Sequence, residues 1–163
     1  MTAARSGEVR GATWSELDLE AGIWTIPASR MKREKEHVVP LSEAALRVFN
    51  TAKKQRNGDE ELVFPGAKKG KPLSDMTLLK VLRDMSAGCT VHGFRSAFKD
   101  WAGEVGGFPN ELSEAALAHA IENKTEAAYR RGNLLERRRM MMRAWGDYCS
   151  GGPGQALRLV AQR

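Results

Sequence analysis

The hydrophobic period of this chain changes at Ser42, and that change limits the fold more than any other feature. Before it, apolar residues alternate along Trp14-Ser-Glu-Leu-Asp-Leu19, Gly22-Ile-Trp-Thr-Ile-Pro27 and His37-Val-Val-Pro-Leu41. A period of two marks a half-buried strand. Glu20-Ala21-Gly22 supplies a turn between the first two segments, so the three predict a small antiparallel sheet. The connection from Ala28 to Glu36 is highly charged and reads as an exposed hairpin loop.

After Ser42 the spacing is helical. Ala45, Leu46, Phe49 and Ala52 recur on one face, and Asn57-Gly58-Asp59 ends that helix. Leu62 to Pro65 reads as extended. A helix opened by Pro72 to Asp75 is expected to carry Leu78, Leu79, Val81, Leu82 and Met85 inward and to close at Gly88. Further helical patterns run over about Val91 to Glu104, Asn110 to His119, and Lys124 to Tyr148 with a break near Gly132-Asn133. At the start, Thr2 to Glu8 reads as a loop entering a helix, with Ser6 or Thr2 as its cap. The expected fold class is mainly α with a small antiparallel β-sheet (α+β). One domain is expected over 1–149, with a flexible tail over 150–163 that begins at the Ser-Gly-Gly-Pro-Gly breaker.

Composition removes several classes. With 42% hydrophobic and 28% charged residues, the 163-residue chain is neither wholly disordered nor collagen-like. No apolar run reaches the length of a membrane span, and no secretory signal is visible. Cys89 and Cys149 form no CxxC pair and read as reduced, buried thiols of a cytoplasmic protein. The net charge is +6. Six arginines fall between Arg130 and Arg143 against one acid, Glu136, and lysines gather at Lys53-Lys54 and at Lys68, Lys69 and Lys71. Three basic clusters favour a polyanionic partner, nucleic acid above all.

Chemistry-bearing residues are few: three histidines (His37, His92, His119) and two tyrosines (Tyr129, Tyr148). His92-Gly-Phe-Arg95 puts an imidazole and a guanidinium on one helix face, and Arg offers a bidentate fork to phosphate oxygens. Taken alone the pair is commonly structural. Arg5 lies three residues from Glu8, which fits a plain surface ion pair or a phosphate-binding arginine held by its neighbour. Tyr129 lies in the basic run Ala-Ala-Tyr-Arg-Arg. A neutral phenol needs cations or a base before it becomes a nucleophile.

Read in order, these motifs resemble the catalytic domain of the tyrosine recombinases (the phage integrase family), especially integrases of prophages and genomic islands. The matching stretches are Ala4-Arg5-Ser-Gly-Glu-Val-Arg10, Met31-Lys32 before His37-Val-Val-Pro-Leu41, His92-Gly-Phe-Arg95, Leu117-Ala-His119 and Ala128-Tyr129. They cover about residues 2 to 149. The resemblance implies the tyrosine recombinase catalytic-domain fold and a site of Arg5, Lys32, His92, Arg95, His119 and Tyr129. In it Tyr129 attacks a DNA phosphate and forms a 3′-phosphotyrosyl link, and Arg5, Arg95 and His119 hold the phosphate. His92 assists proton transfer, and Lys32 protonates the departing 5′-oxygen, with Lys35 as its rival. Glu8 supports the first arginine.

The scheme implied needs no cofactor, metal or ATP. The partners implied are double-stranded DNA attachment sites, further copies of the chain in a tetramer on synapsed DNA through the C-terminal helix, and accessory DNA-bending or directionality proteins. Met140-Met141-Met142 with Leu134 and Leu135 could dock on a neighbour or pack within the chain. The DNA-binding domains and first catalytic-domain helix that usually precede the first arginine are expected to be missing here. A type IB topoisomerase-like enzyme and a non-catalytic DNA-binding remnant are the alternative readings.

Overall fold

The computed structural model describes residues 1–119 and 131–151, with side chains in the last helix described from residue 134. The expected sheet is present. Strands β1 (Leu17–Asp18), β2 (Ile23–Ile26) and β3 (His37–Pro40) pair antiparallel in the order β1-β2-β3. Trp24 lies opposite Leu17 on one side and Val39 on the other. The β1–β2 turn is held by Asp18 Oδ1, which accepts from the backbone N–H groups of Glu20 and Ala21 at 3.1 and 2.8 Å. Gly22 then takes φ +65°, the left-handed region that glycine enters without a Cβ penalty.

Helix α1 (Ser6–Arg10) opens the chain, and its N-cap is Arg5 rather than Ser6 or Thr2. Glu8 closes the first turn by accepting the Arg5 backbone N–H at 2.7 Å, which is the reverse half of a capping box. Helix α2 (Glu43–Lys54) starts as expected, with Ser42 Oγ accepting from Ala45 N at 3.3 Å. Helix α3 (Asp75–Asp84) differs from the expectation. Only Leu82 is buried, Leu78 and Leu79 are half-buried, and Val81 and Met85 are exposed. The apolar stripe exists, but no described element covers it fully.

Helices α4 (Gly93–Glu104), α5 (Asn110–Ala116) and α6 (Arg131–Cys149) complete the described fold. Gly132 and Asn133 lie inside α6, so they make no break there. Both cysteines are exposed, contrary to the buried thiols expected.

Two cores result. Trp24, Ile26, Met31, Val39, Leu41, Ala45, Phe49 and Val63 fill the space between sheet and α2. Phe98, Trp101, Leu112, Leu117, Met141, Met142 and Trp145 form the second core, among α4, α5 and α6. Its aromatic centre is tight, with Trp101 and Trp145 centroids 5.0 Å apart and Phe98 edge-on to Trp145 at 5.4 Å. Tyr148 stacks on Trp145 at 5.6 Å at the solvent-exposed edge of this cluster.

Helix α6 joins the two halves. Gly146 lies so close to Ser42 that an added Cβ would sit 2.3 Å from its Oγ, so this crossing needs a glycine. Arg138 Nη1 donates to Val38 O at 2.9 Å and Arg139 Nη1 to Ala21 O at 3.1 Å. Part of the arginine cluster is thus tied to the sheet's backbone instead of forming a solvated face.

Candidate active site

The candidate site lies where the two cores meet. Arg5 is placed by the cap of α1, and its Nη1 donates to Glu8 Oε1 at 2.7 Å. Glu8 is 5% exposed, so this is not a surface ion pair. A buried carboxylate satisfied by both the backbone and side chain of Arg5 fixes the guanidinium.

Beneath it sits Arg30, from the segment expected to be an exposed loop. A 3₁₀ turn at Ala28–Arg30 directs its guanidinium inward, where it donates to the Glu16 carboxylate and to Glu8 O. The next residue, Met31, is buried, and this anchor sets the position of Lys32.

On the opposite wall, Thr90 Oγ1 accepts from Gly93 N at 3.0 Å and starts α4. His92 and Arg95 follow on one face, as their spacing predicts. Arg95 is 7% exposed. Its Nη1 donates to Ala3 O, its Nη2 to Leu117 O at 2.7 Å, and Nη2 also reaches His119 Nε2 at 3.3 Å. Burial and the neighbouring Arg5 charge lower its pKa, and Glu8 opposes them. Arginine remains charged at neutral pH even so. Its two carbonyl partners come from bends in which alanine adopts positive φ, Ala3 at 54° and Ala118 at 52°. That conformation costs a non-glycine residue roughly 1–2 kcal/mol.

Ala118 closes α5 with a Schellman motif. Its N–H reaches Ala115 O at 3.3 Å, and the His119 N–H reaches Glu114 O at 3.0 Å. This explains why α5 stops at Ala116 and not at His119. The free carbonyls of this helix end are then used: Leu117 O by Arg95, and Ala116 O by buried His37, whose Nε2 lies 3.2 Å away. A carbonyl can only accept, so His37 carries its proton on Nε2. Burial first, then the Arg138 charge, lowers its pKa to about 4.

Arg5, Lys32, His92 and Arg95 line one open hollow of about 440 Å³, with Ser6 and Gly7 at its edge. Lys35 does not line it. His119 is not part of that lining; it joins the group through Arg95. Tyr129 lies outside the described residues. A larger hollow of about 680 Å³, lined by Trp14, Val48, Arg56 and Phe64 among others, contains none of the expected site residues. Among the described residues no group of three or more His, Cys, Asp or Glu could hold a metal. None of the described helices is long and apolar enough to cross a membrane.

Four cationic or ionisable groups converging on an open hollow can bind a phosphodiester and move protons around it. Sequence reasoning missed Arg30, which also lines the hollow, and the Lys99–Glu114 ion pair, whose carboxylate lies 2.6 Å from His119 Nδ1. Lys99 was discernible as the residue one turn after Arg95.

Residues 1–134 match the phage integrase family. The chain is 39% identical over 150 residues to the prophage integrase IntA of Escherichia coli (strain K12), which covers 90% of this chain and 36% of that protein. It is 37% identical over 166 residues to the integrase of Enterobacteria phage P4, covering 91% and 38%. A crystal structure of XerA recombinase superposes with a TM-score of 0.62 at 20% identity, covering 87% of this chain and 54% of that one, and supports the fold. The chain belongs to the phage integrase family, and it spans well under half the length of these two integrases.

Proposed function

We propose that this chain is the DNA strand-cleaving and rejoining part of a site-specific recombinase that integrates or excises a mobile element. The observation that carries this reading is the convergence of Arg5, Lys32, His92 and Arg95 on one hollow, in a member of the integrase family.

In the proposed reaction, Arg5 and Arg95 bind the non-bridging oxygens of a scissile phosphate and stabilise the charge of the pentavalent transition state. The Tyr129 oxygen bonds to phosphorus as its proton leaves with help from His92. The bond from phosphorus to the 5′-oxygen breaks, and Lys32 delivers a proton to that oxygen. A 3′-phosphotyrosyl link retains the energy of the cleaved bond, so a second 5′-hydroxyl can reverse the attack and reseal the strand. Lys32 is favoured over Lys35 because it lines the hollow. His119 adds a hydrogen bond to the same phosphate.

The partners proposed are duplex attachment sites, a tetramer on synapsed DNA, and accessory DNA-bending or directionality proteins. Met141 and Met142 are buried within the chain, so contact between copies through α6 would use its exposed residues, Met140 among them.

Covalent trapping tests the reading. A duplex carrying a candidate attachment site is nicked so that the cleaved piece diffuses away. The protein is then denatured and any adduct mapped by mass spectrometry. An adduct at Tyr129, absent in Tyr129→Phe, is the expected result. An adduct elsewhere, or none in the presence of salt-sensitive DNA binding, contradicts it.

A further inference from the structure

His119 has a second set of partners that face away from the hollow. Its Nδ1 lies 2.6 Å from Glu114 Oε2, and the other carboxylate oxygen, Oε1, accepts from Lys99 Nζ. The Schellman turn sets this pair up, because the His119 backbone N–H also bonds Glu114 O at 3.0 Å. The two residues are therefore joined through both backbone and side chain. Lys99 stands on α4 one turn beyond Arg95, so the same helix supplies both the guanidinium at Nε2 and the ammonium behind Glu114. The Lys99 hydrogen bond first, with His119 adding to it, holds the Glu114 carboxyl below the usual carboxylate range. At neutral pH it is an acceptor only, so the proton between it and His119 belongs to Nδ1. Arg95 can only donate, which leaves the Nε2 lone pair facing it.

We propose that Glu114, anchored by Lys99, is a positioning residue for His119. It keeps a proton on Nδ1 and presents Nε2 alone to Arg95 and the phosphate. When a phosphodiester enters, a proton drawn from solvent onto Nε2 turns that nitrogen into a donor to a phosphate oxygen, with the phosphate on one side of the resulting cation and the Glu114 carboxylate on the other. The part that concerns cleavage rests on the function proposed above, whereas the tautomer does not.

Long-range ¹H–¹⁵N correlation spectra of the full chain without DNA read the tautomer directly. His119 is expected with its proton on Nδ1. Glu114→Ala, which removes the acceptor at Nδ1, moves proton population to Nε2. A wild-type ring protonated on Nε2 overturns the proposal, as does an unchanged tautomer in Glu114→Ala. If Glu114→Ala does not fold, Glu114→Asp, too short to reach Nδ1, gives the same readout. In trapping assays, Glu114→Ala is expected to slow adduct formation about tenfold or more, the scale of one hydrogen bond to a charged group. The double variant with His119→Ala should be no slower than His119→Ala alone, and losses that multiply overturn the proposal. Absence of any adduct in the wild type would count against the proposed function, and the DNA-free tautomer would still decide the role of Glu114.

Discussion

The Arg5 and Arg95 side chains face the same hollow but are held by different chemistry. Arg5 keeps 28% of its side chain exposed and is bound by the Glu8 carboxylate, which cancels its charge locally. Arg95 is 7% exposed and is hydrogen-bonded to two backbone carbonyls and an imidazole, with Glu8 acting on it only at a distance. The less-cancelled positive charge of the site is therefore that of Arg95 and Lys32 rather than that of Arg5. The Arg5–Glu8 pair contributes position and hydrogen bonds more than net field. Removing Arg95 should consequently damage both stability and charge stabilisation, whereas altering the Arg5 limb should mainly loosen geometry.

The largest effect expected is that of Arg95→Ala. It leaves Ala3 O and Leu117 O without their donor, and each buried unsatisfied group costs about 1–3 kcal/mol. Urea denaturation should show a loss of at least about 2 kcal/mol. Stability equal to the wild type would show that Ala3 O and Leu117 O do not depend on Arg95.

His37 tests the helix end that supports the Arg95 limb. Its folded pKa, lowered to about 4, lies below the unfolded value, so the unfolded chain binds the extra proton between the two. The stability gained from a neutral His37 is whole above about pH 6.5 and is lost as pH falls from there through about 4, amounting to at most about 3 kcal/mol. Arg138, Glu8 and Arg95 are the charged groups that act on it. In His37→Gln the slope of stability between pH 6.5 and 5 should flatten. An unchanged slope would show that another group carries it.

Glu8→Gln addresses the Arg5 limb. The amide keeps one acceptor but removes the counter-charge, and a loss of about 1–2 kcal/mol is expected in denaturant titrations. A loss exceeding that of Arg95→Ala would invert the ranking of the two limbs.

The smallest effect expected belongs to Ala118→Gly. Relief of the positive φ is worth roughly 1–2 kcal/mol, and glycine's added chain entropy removes about 0.5–1 of it. A gain of up to about 1 kcal/mol in thermal or urea unfolding is expected. A clear loss would mean that Ala118 is not strained.

The sheet, α2 and α4 were legible because local signals agree there: alternation, a turn glycine, a serine cap and an apolar stripe. The convergence of Arg5, Lys32, His92 and Arg95 was legible from motif order, which stands in for distance when a family pattern is recognised. Arg30 was not legible. A charged stretch reads as solvated, and its partner Glu16 lies 14 positions away across the sheet. Glu114 was hidden because five residues is not a helix-face spacing; only the reversal at Ala118 brings it to His119. The arginines from Arg130 to Arg143 were counted as one basic cluster, whereas Arg138 and Arg139 are committed to carbonyls of the sheet side. The inward face expected of α3 failed for the opposite reason. Its period is helical, but periodicity states which face is apolar and not whether anything covers it.

In the function proposed above this hollow holds a DNA phosphate, and Arg95 supplies a guanidinium whose charge no bonded carboxylate cancels. The most direct measurement uses a trapping duplex in which the scissile phosphate is replaced by a neutral methylphosphonate. The remaining non-bridging oxygen still gains a charge in the transition state, but one charge fewer than in a phosphodiester, so cleavage should depend less on Arg95. Arg95→Ala should then fall behind the wild type by far less on this duplex than on the charged one, while Tyr129→Phe stays inactive. An Arg95→Ala variant as impaired on the neutral duplex as on the charged one would contradict the account.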